Sequence, residues 1–140
     1  MSQIASTVPS FLRRSALALG VLAGSALGQL TPEWISTIPV GTALSSGLGG
    51  YVIDASGVTY VTGTAGAGPF AIDVVTTAIG PDGTTLWQAT FNGPQNGFDQ
   101  ASAIALGPDG ALYVSGDTQG PDFFANVLLL KYDVATGALL

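Results

Sequence analysis

Sliding the chain along itself by 53 residues brings it back into register, and this self-match restricts the fold more than any other feature of the sequence. Trp34 falls on Trp87, Thr37 on Thr90, Gly57 on Gly110, Tyr60 on Tyr113, Val61 on Val114, Gly63 on Gly116, Phe70 on Phe123 and Val74 on Val127, without a gap. One residue is then inserted, so that Gly83 matches Gly137 and Leu86 matches Leu140 at an offset of 54. The matched positions are aromatic, β-branched or turn-forming, the types whose placement backbone geometry restricts most. Such a chain repeats one supersecondary piece that cannot cover its apolar side alone and must stack on a neighbour.

Each period holds four short apolar runs separated by turn signals. Gly50 to Ile53 closes in Asp54-Ala55-Ser56-Gly57, and its copy, Ala103 to Leu106, closes in Gly107-Pro108-Asp109-Gly110. The second run, Val58 to Thr62, reads VTYVT and its copy, Ala111 to Ser115, reads ALYVS; each is expected to form a hairpin with the run before it. The third run is Ala71 to Ile79, copied at Ala125 to Tyr132. The fourth is Thr84 to Phe91, whose copy begins at Ala138. A further strand of this fourth type, 33–40, is expected ahead of the first full set. Asn126-Val127-Leu128-Leu129-Leu130 is apolar at both parities, so both faces of each sheet should be covered. Four strands in a repeat of about 40–50 residues, packed on both faces, describe a β-propeller blade. The expected fold is therefore all-β, with one blade over 48–91 and a partial blade over 101–140. A parallel β-helix is the competing solenoid, but its coils are shorter and lack this hairpin punctuation. The 20 glycines and 8 prolines fit a turn-rich chain, and Glu33 is the one Glu among nine acids, so the Glu/Lys surface of helices is missing.

The first 28 residues read differently. A polar start leads through Arg13 and Arg14 into an apolar stretch from Ala16 to Leu27, then Ala26-Leu27-Gly28. This is the layout of a secretory signal peptide, with cleavage expected between Gly28 and Gln29 and, as second choice, after Ala26. Twelve residues rise only about 18 Å as a helix, short of the roughly 30 Å of a bilayer core, so a stable membrane span is not expected. The paired arginines also resemble a twin-arginine signal, without its strongly apolar residues or later lysine; general export is preferred. The expected location is secreted, periplasmic or cell-envelope, with 29–140 as the mature repeat region.

Export would leave Lys131 as the one cation against nine acids, a net charge of −8. Nucleic acid and anionic membrane surfaces are then excluded as partners, since both recruit clustered Lys and Arg. With no His and no Cys in the chain, there is no Ser-His-Asp relay, thiol nucleophile, disulfide or thiolate metal site. Carboxylates remain, but Asp54, Asp82, Asp109 and Asp133 sit in Asp/Gly or Pro-Asp-Gly turns, where the side chain caps its own backbone. No catalytic residue and no cofactor is assigned. Calcium is the one metal worth weighing, at the loop Asp117-Thr118-Gln119-Gly120-Pro121-Asp122 or the turn Asp54-Ala55-Ser56-Gly57, although neither has the spacing of an EF-hand. Trp34 and Trp87 could stack on a sugar, but their recurrence at one repeat position favours packing between blades, as does that of Tyr60 and Tyr113. The glycine-rich segments Gly47-Leu48-Gly49-Gly50 and Gly63-Thr64-Ala65-Gly66 read as loops that open no helix, so they are not phosphate cradles.

The runs YVIDASGVTYVTGTA, GPDGTTLWQATF, AIALGPDGALYVSGDT and NVLLLKYDVATGALL resemble the bacterial beta-propeller repeat family described as the seven-bladed propeller repeat. The resemblance spans Trp34 to Leu140 and rests on an Asp/Gly turn, a Tyr-Val-x-Gly strand, an apolar strand ending near Lys and Asp, and a Gly-x-Leu-Trp strand. The first copy departs from it, with Thr77-Ala78 where the second has Leu130-Lys131. The resemblance implies an exported, non-enzymatic scaffold or binding module with a glycan or protein ligand, and transfers no catalytic residue. A carbohydrate-active protein, lectin or glycoside hydrolase, is the alternative. Closed propellers use about four to eight blades and this chain supplies about two. It is therefore either a truncated product or one member of a cyclic homo-oligomer in which the 33–40 strand completes a neighbour's last blade; three chains would give six blades.

Overall fold

A computed structural model of the chain describes residues 33–37, 45–68 and 71–140. The leader, 1–28, with its expected cleavage residues Gly28 and Gln29, lies outside the described residues. Among the described residues no helix is long and apolar enough to cross a membrane. The fold is all-β. Strands β1 (Ser45–Ile53), β2 (Thr59–Gly68), β3 (Ala71–Ile79) and β4 (Thr85–Phe91) form one antiparallel sheet in sequence order. Strands β5 (Asp99–Leu106), β6 (Ala111–Gln119) and β7 (Ala125–Asp133) form a second, also antiparallel and in sequence order. The sheets do not close on each other.

Turn chemistry sets the strand ends. In Asp54–Gly57 the Gly57 N–H donates to Asp54 O at 3.1 Å and the Asp54 N–H to Val58 O at 3.0 Å. The same two bonds recur 53 residues on, from Gly110 to Gly107 O at 3.0 Å and from Gly107 to Ala111 O at 2.8 Å. This is a type I turn followed by a left-handed residue, and Gly57 (φ 87°) and Gly110 (φ 77°) take the position where a Cβ would be strained. The third turn repeats the scheme at Gly80–Gly83. Its copy runs from Asp133 to Gly137, whose N–H donates to Asp133 O at 2.9 Å, so the inserted residue of the second period is absorbed in this turn.

Register repeats as closely as the turns do. Leu48 faces Gly63 and Gly50 faces Thr62, leaving Gly49 as a bulge; Ala101 faces Gly116 and Ala103 faces Ser115, leaving Ser102 in the same place. The bulge drives one backbone onto the other, and this accounts for a repeated glycine: a Cβ on Gly63 would stand 2.5 Å from Gly47 O, and one on Gly116 would collide with Gln100 O. Tyr60 faces Ala78 as Tyr113 faces Lys131. The bridge Tyr132 to Leu139 copies the pairing of Ile79 with Thr85, and so begins a fourth strand in the second sheet.

Three sequence expectations need correction. The segments 47–50 and 63–66 are not loops but paired parts of β1 and β2, because small residues let the ladder continue past the bulge. Asp117–Gln119 likewise belongs to β6, and only Gly120–Phe123 turns. The strand expected over 33–40 is not formed in its described part, 33–37, which has no ladder partner among the described residues.

The sheets stack head to tail. Register places Val52, Tyr60, Ala78 and Trp87 in one row, Thr62, Thr76 and Ala89 in the next, and Thr64, Val74 and Phe91 in a third, all on one face of the first sheet. That face packs on Leu106, Leu112 and Tyr132, on Ile104, Val114 and Leu130, and on Ala101 and Leu128 of the second sheet. Leu112 and Val114 are fully buried there, each worth about 1.5–3 kcal/mol relative to exposure. The Thr62 and Thr76 hydroxyls, buried in the same layer, pair at 3.1 Å. The Trp87 ring lies between Tyr60 (6.1 Å) and Tyr132 (6.4 Å), and its indole N–H donates to Val134 O at 2.9 Å. At the opposite end of the stack Ile72 N–H donates to Gly97 O at 3.3 Å.

Candidate functional site

The repeated tryptophans share one task. The Trp87 ring rests on Gly137, where a Cβ would meet it at 2.5 Å, and the Trp34 ring rests on Gly83 at 3.0 Å. The repeated tyrosines do not share a setting: Tyr60 is buried between the sheets, whereas Tyr113 stands half-buried on the outer face of the second sheet. Each nonetheless donates its hydroxyl to a turn carboxylate, Tyr60 to Asp54 at 3.1 Å and Tyr113 to Asp109 at 2.8 Å. Burial, aided by the Asp54 charge, pushes the Tyr60 phenol to about 12.

The turn aspartates bind their own backbone. Asp54 Oδ1 accepts from the Ser56 hydroxyl and from the N–H groups of Ser56 and Val58, and Ser56 above all holds the carboxyl below its ordinary range. Asp82 is held down by Thr84 and Asp133 by Thr136 in the same way. In Asp117–Asp122, the other loop considered for calcium, Asp122 Oδ1 accepts from the Phe124 N–H at 3.3 Å. Among the described residues no group of three or more carboxylates is placed to hold a metal ion.

Two acids outside the turns were not singled out by the sequence, because neither stands beside a Gly or Pro in a turn pattern. Asp99 is buried; one oxygen accepts the Gly93 N–H at 2.7 Å and the other the Thr118 hydroxyl at 2.5 Å, which ties loop 92–98 to β6. Burial raises the Asp73 carboxyl, and the Asp99 charge adds to the shift. A raised acid near a second carboxylate is the raw material of glycosidic hydrolysis, but Asp99 is closed off from solvent and both its oxygens are occupied. Asp99 thus fastens the loop to β6.

The surface best suited to a partner is the outer face of the second sheet. Its rows are Ala105, Tyr113 and Lys131; Ala103, Ser115 and Leu129; and Asp117 and Val127. The repeat maps these onto the face that the first sheet buries. Val74 is 0% exposed and its copy Val127 is 89% exposed; Thr76 is 0% exposed and its copy Leu129 is 67% exposed. Phe123 and Phe124 extend the apolar patch at the β6–β7 turn. On this face Lys131 Nζ meets Asp109 Oδ2 at 2.9 Å and lies 5.5 Å from the Tyr113 ring centre. The Lys131 ammonium, with the Tyr113 hydroxyl, brings the Asp109 carboxyl down to about 2, and Asp109 raises Lys131 in turn. The face thus combines exposed apolar side chains with the Lys131–Asp109 pair and the polar residues Ser115 and Asp117.

No protein-family model matches the chain, and no curated protein is significantly similar to it.

Proposed function

We propose that this is an exported β-propeller repeat protein, or a piece of one, working as a non-enzymatic scaffold or binding module. The observation that carries the reading is the agreement of turn, bulge and strand register at an offset of 53 between two sheets stacked in the same sense. Sheets stacked face on face with repeated hairpins are what propeller blades require, and the exposed face of the second sheet supplies a binding surface. The engagement of the turn carboxylates and of Asp99 in local hydrogen bonds supports a structural role for the acids over a hydrolytic one.

Two measurements test this. Expression in a bacterial host followed by fractionation and N-terminal sequencing should find a chain beginning at Gln29 outside the cytoplasm; an uncut chain confined to the cytoplasm would overturn the export reading. A glycan array read for both retention and hydrolysis should show no turnover, and turnover of any glycan would replace the scaffold with a hydrolase.

A further inference from the structure

We propose that Asn96 is a self-modifying residue: the backbone nitrogen of Gly97 closes on its side-chain amide, and the product loosens the join between the two sheets. Such closure needs an asparagine or aspartate followed by glycine, and a main-chain nitrogen that is not engaged elsewhere. Glycine matters because it brings no Cβ to obstruct the ring as it forms. Four dipeptides of this kind occur in the chain, Asp82-Gly83, Asn92-Gly93, Asn96-Gly97 and Asp109-Gly110.

The fold separates them. The Gly83 N–H donates to Gly80 O at 2.9 Å and the Gly110 N–H to Gly107 O at 3.0 Å, so both nitrogens are fixed inside their turns. The aspartates before them are held ionised by Thr84 and Lys131, and a carboxylate has no good leaving group to lose. The Gly93 N–H donates to the buried Asp99 carboxylate at 2.7 Å. A carboxylate is too weak a base to take an amide proton, so this bond holds the nitrogen instead of activating it. Breaking it would leave a buried charge short of a donor. Gly97 differs from all three, because its N–H meets no acceptor among the described residues.

The side chain is placed for attack as well. Asn96 is exposed, and its Oδ1 accepts from Asn92 Nδ2 at 2.5 Å. That donor faces the oxygen on which charge grows as the nitrogen approaches. Asn96 lies at φ 49°, a left-handed position that Gly57, Gly83 and Gly110 occupy in the other turns. The Ile72 N–H donates to Gly97 O at 3.3 Å, longer than any other backbone bond in the described turns and loops, so the 96–97 peptide is lightly held against the swing that closure requires.

The Gly97 nitrogen loses its proton to solvent and bonds to Asn96 Cγ; the Cγ–Nδ2 bond breaks, and Nδ2 leaves as ammonia with a proton from water. Water then adds to one of the two imide carbonyls. The ring opens to aspartate or to isoaspartate, whose main chain runs through an added methylene. That methylene falls just before Gly97 O and Phe98, which meet Ile72 as a bond and a bridge, and it displaces them from β3.

The test holds the full chain in warm, mildly alkaline buffer and follows it by timed peptide mapping, with electron-transfer fragmentation to tell isoaspartate from aspartate. Asn96 should convert at least about tenfold faster than Asn92, the factor expected from the bond that Gly93 gives to Asp99, and isoaspartate at Asp82 or Asp109 should trail Asn96. In urea, where only the local sequence acts, Asn92 and Asn96 should convert within about threefold of each other. In the folded chain carrying isoaspartate at position 96, the Ile72 amide should exchange its hydrogen at least about tenfold faster than in the fresh chain. No conversion at Asn96, conversion at Asn92 that is as fast, a preference that persists unchanged in urea, or an Ile72 amide that exchanges as before would each overturn the proposal.

Discussion

Gly63 and Gly116 are held by crowding rather than by an unusual backbone angle. At both, the opposing strand's bulge brings a carbonyl oxygen into the space a side chain would need. Replacing either by Ala should cost about 1–3 kcal/mol in urea unfolding, because the obstacle is backbone and cannot swing aside. A loss below a few tenths would show that the bulge is soft. Asp73 offers the opposite case, a residue whose removal should help. Its folded-state acidity is weakened by burial and by Asp99, so the folded chain holds the proton more tightly than the unfolded one. Its contribution is therefore favourable below the ordinary range near 3.8 and is lost as pH rises through the raised value. Asp73→Asn should raise the melting midpoint by a few degrees at pH 7 and leave it unchanged at about pH 3, where both states carry the proton. The second repeat already has Asn126 at this position. A fall at pH 7 would mean that the carboxylate makes a favourable contact.

At the scale of the element, the four-residue turn is the recurring device, and one instance breaks its own rule. Gly120-Pro121-Asp122-Phe123 has the bonds of the other turns, Phe123 N–H to Gly120 O at 3.0 Å and Gly120 N–H to Phe124 O at 2.7 Å. Its last residue is a phenylalanine at φ 67°, exposed to solvent, where the other turns place glycine. Phe123→Gly should relieve left-handed strain and stabilise the chain by up to about 1 kcal/mol, read as a higher urea midpoint at constant slope. Destabilisation would indicate that the ring makes a stabilising contact in the folded chain. The hairpins themselves were legible, because Asp/Gly and Pro-Asp-Gly turns act over four residues and carry their chemistry in those residues. Strand length was not. Gly63 to Gly68 has Thr64 as its one β-forming residue, yet β2 runs through it, since β1 pairs it as far as Gly66 and β3 as far as Gly68, supplying the ladder that local preference does not.

Over the whole molecule, the two sheets depend on Trp87, which fills the space over Gly137, bonds Val134 O and bridges Tyr60 to Tyr132. Trp87→Ala should cost about 3 kcal/mol, a drop of roughly 10 °C or more in the melting midpoint of a domain this size. Trp34→Ala, at the same repeat position but more exposed, should cost less than half of that in the same melt. Equal losses would mean that the two ends of the stack are supported alike. The sequence by itself determined the repeat, its turns, its strand order and the structural employment of its turn acids, since each rests on hydrogen bonds and backbone angles within a few residues. Only the tertiary structure decided which face of each sheet is covered, why copies such as Val74 and Val127 fare so differently, and how the buried Asp99 fastens a loop. Burial depends on what the neighbouring sheet presents, and that is a property of the stack rather than of the residues in one repeat.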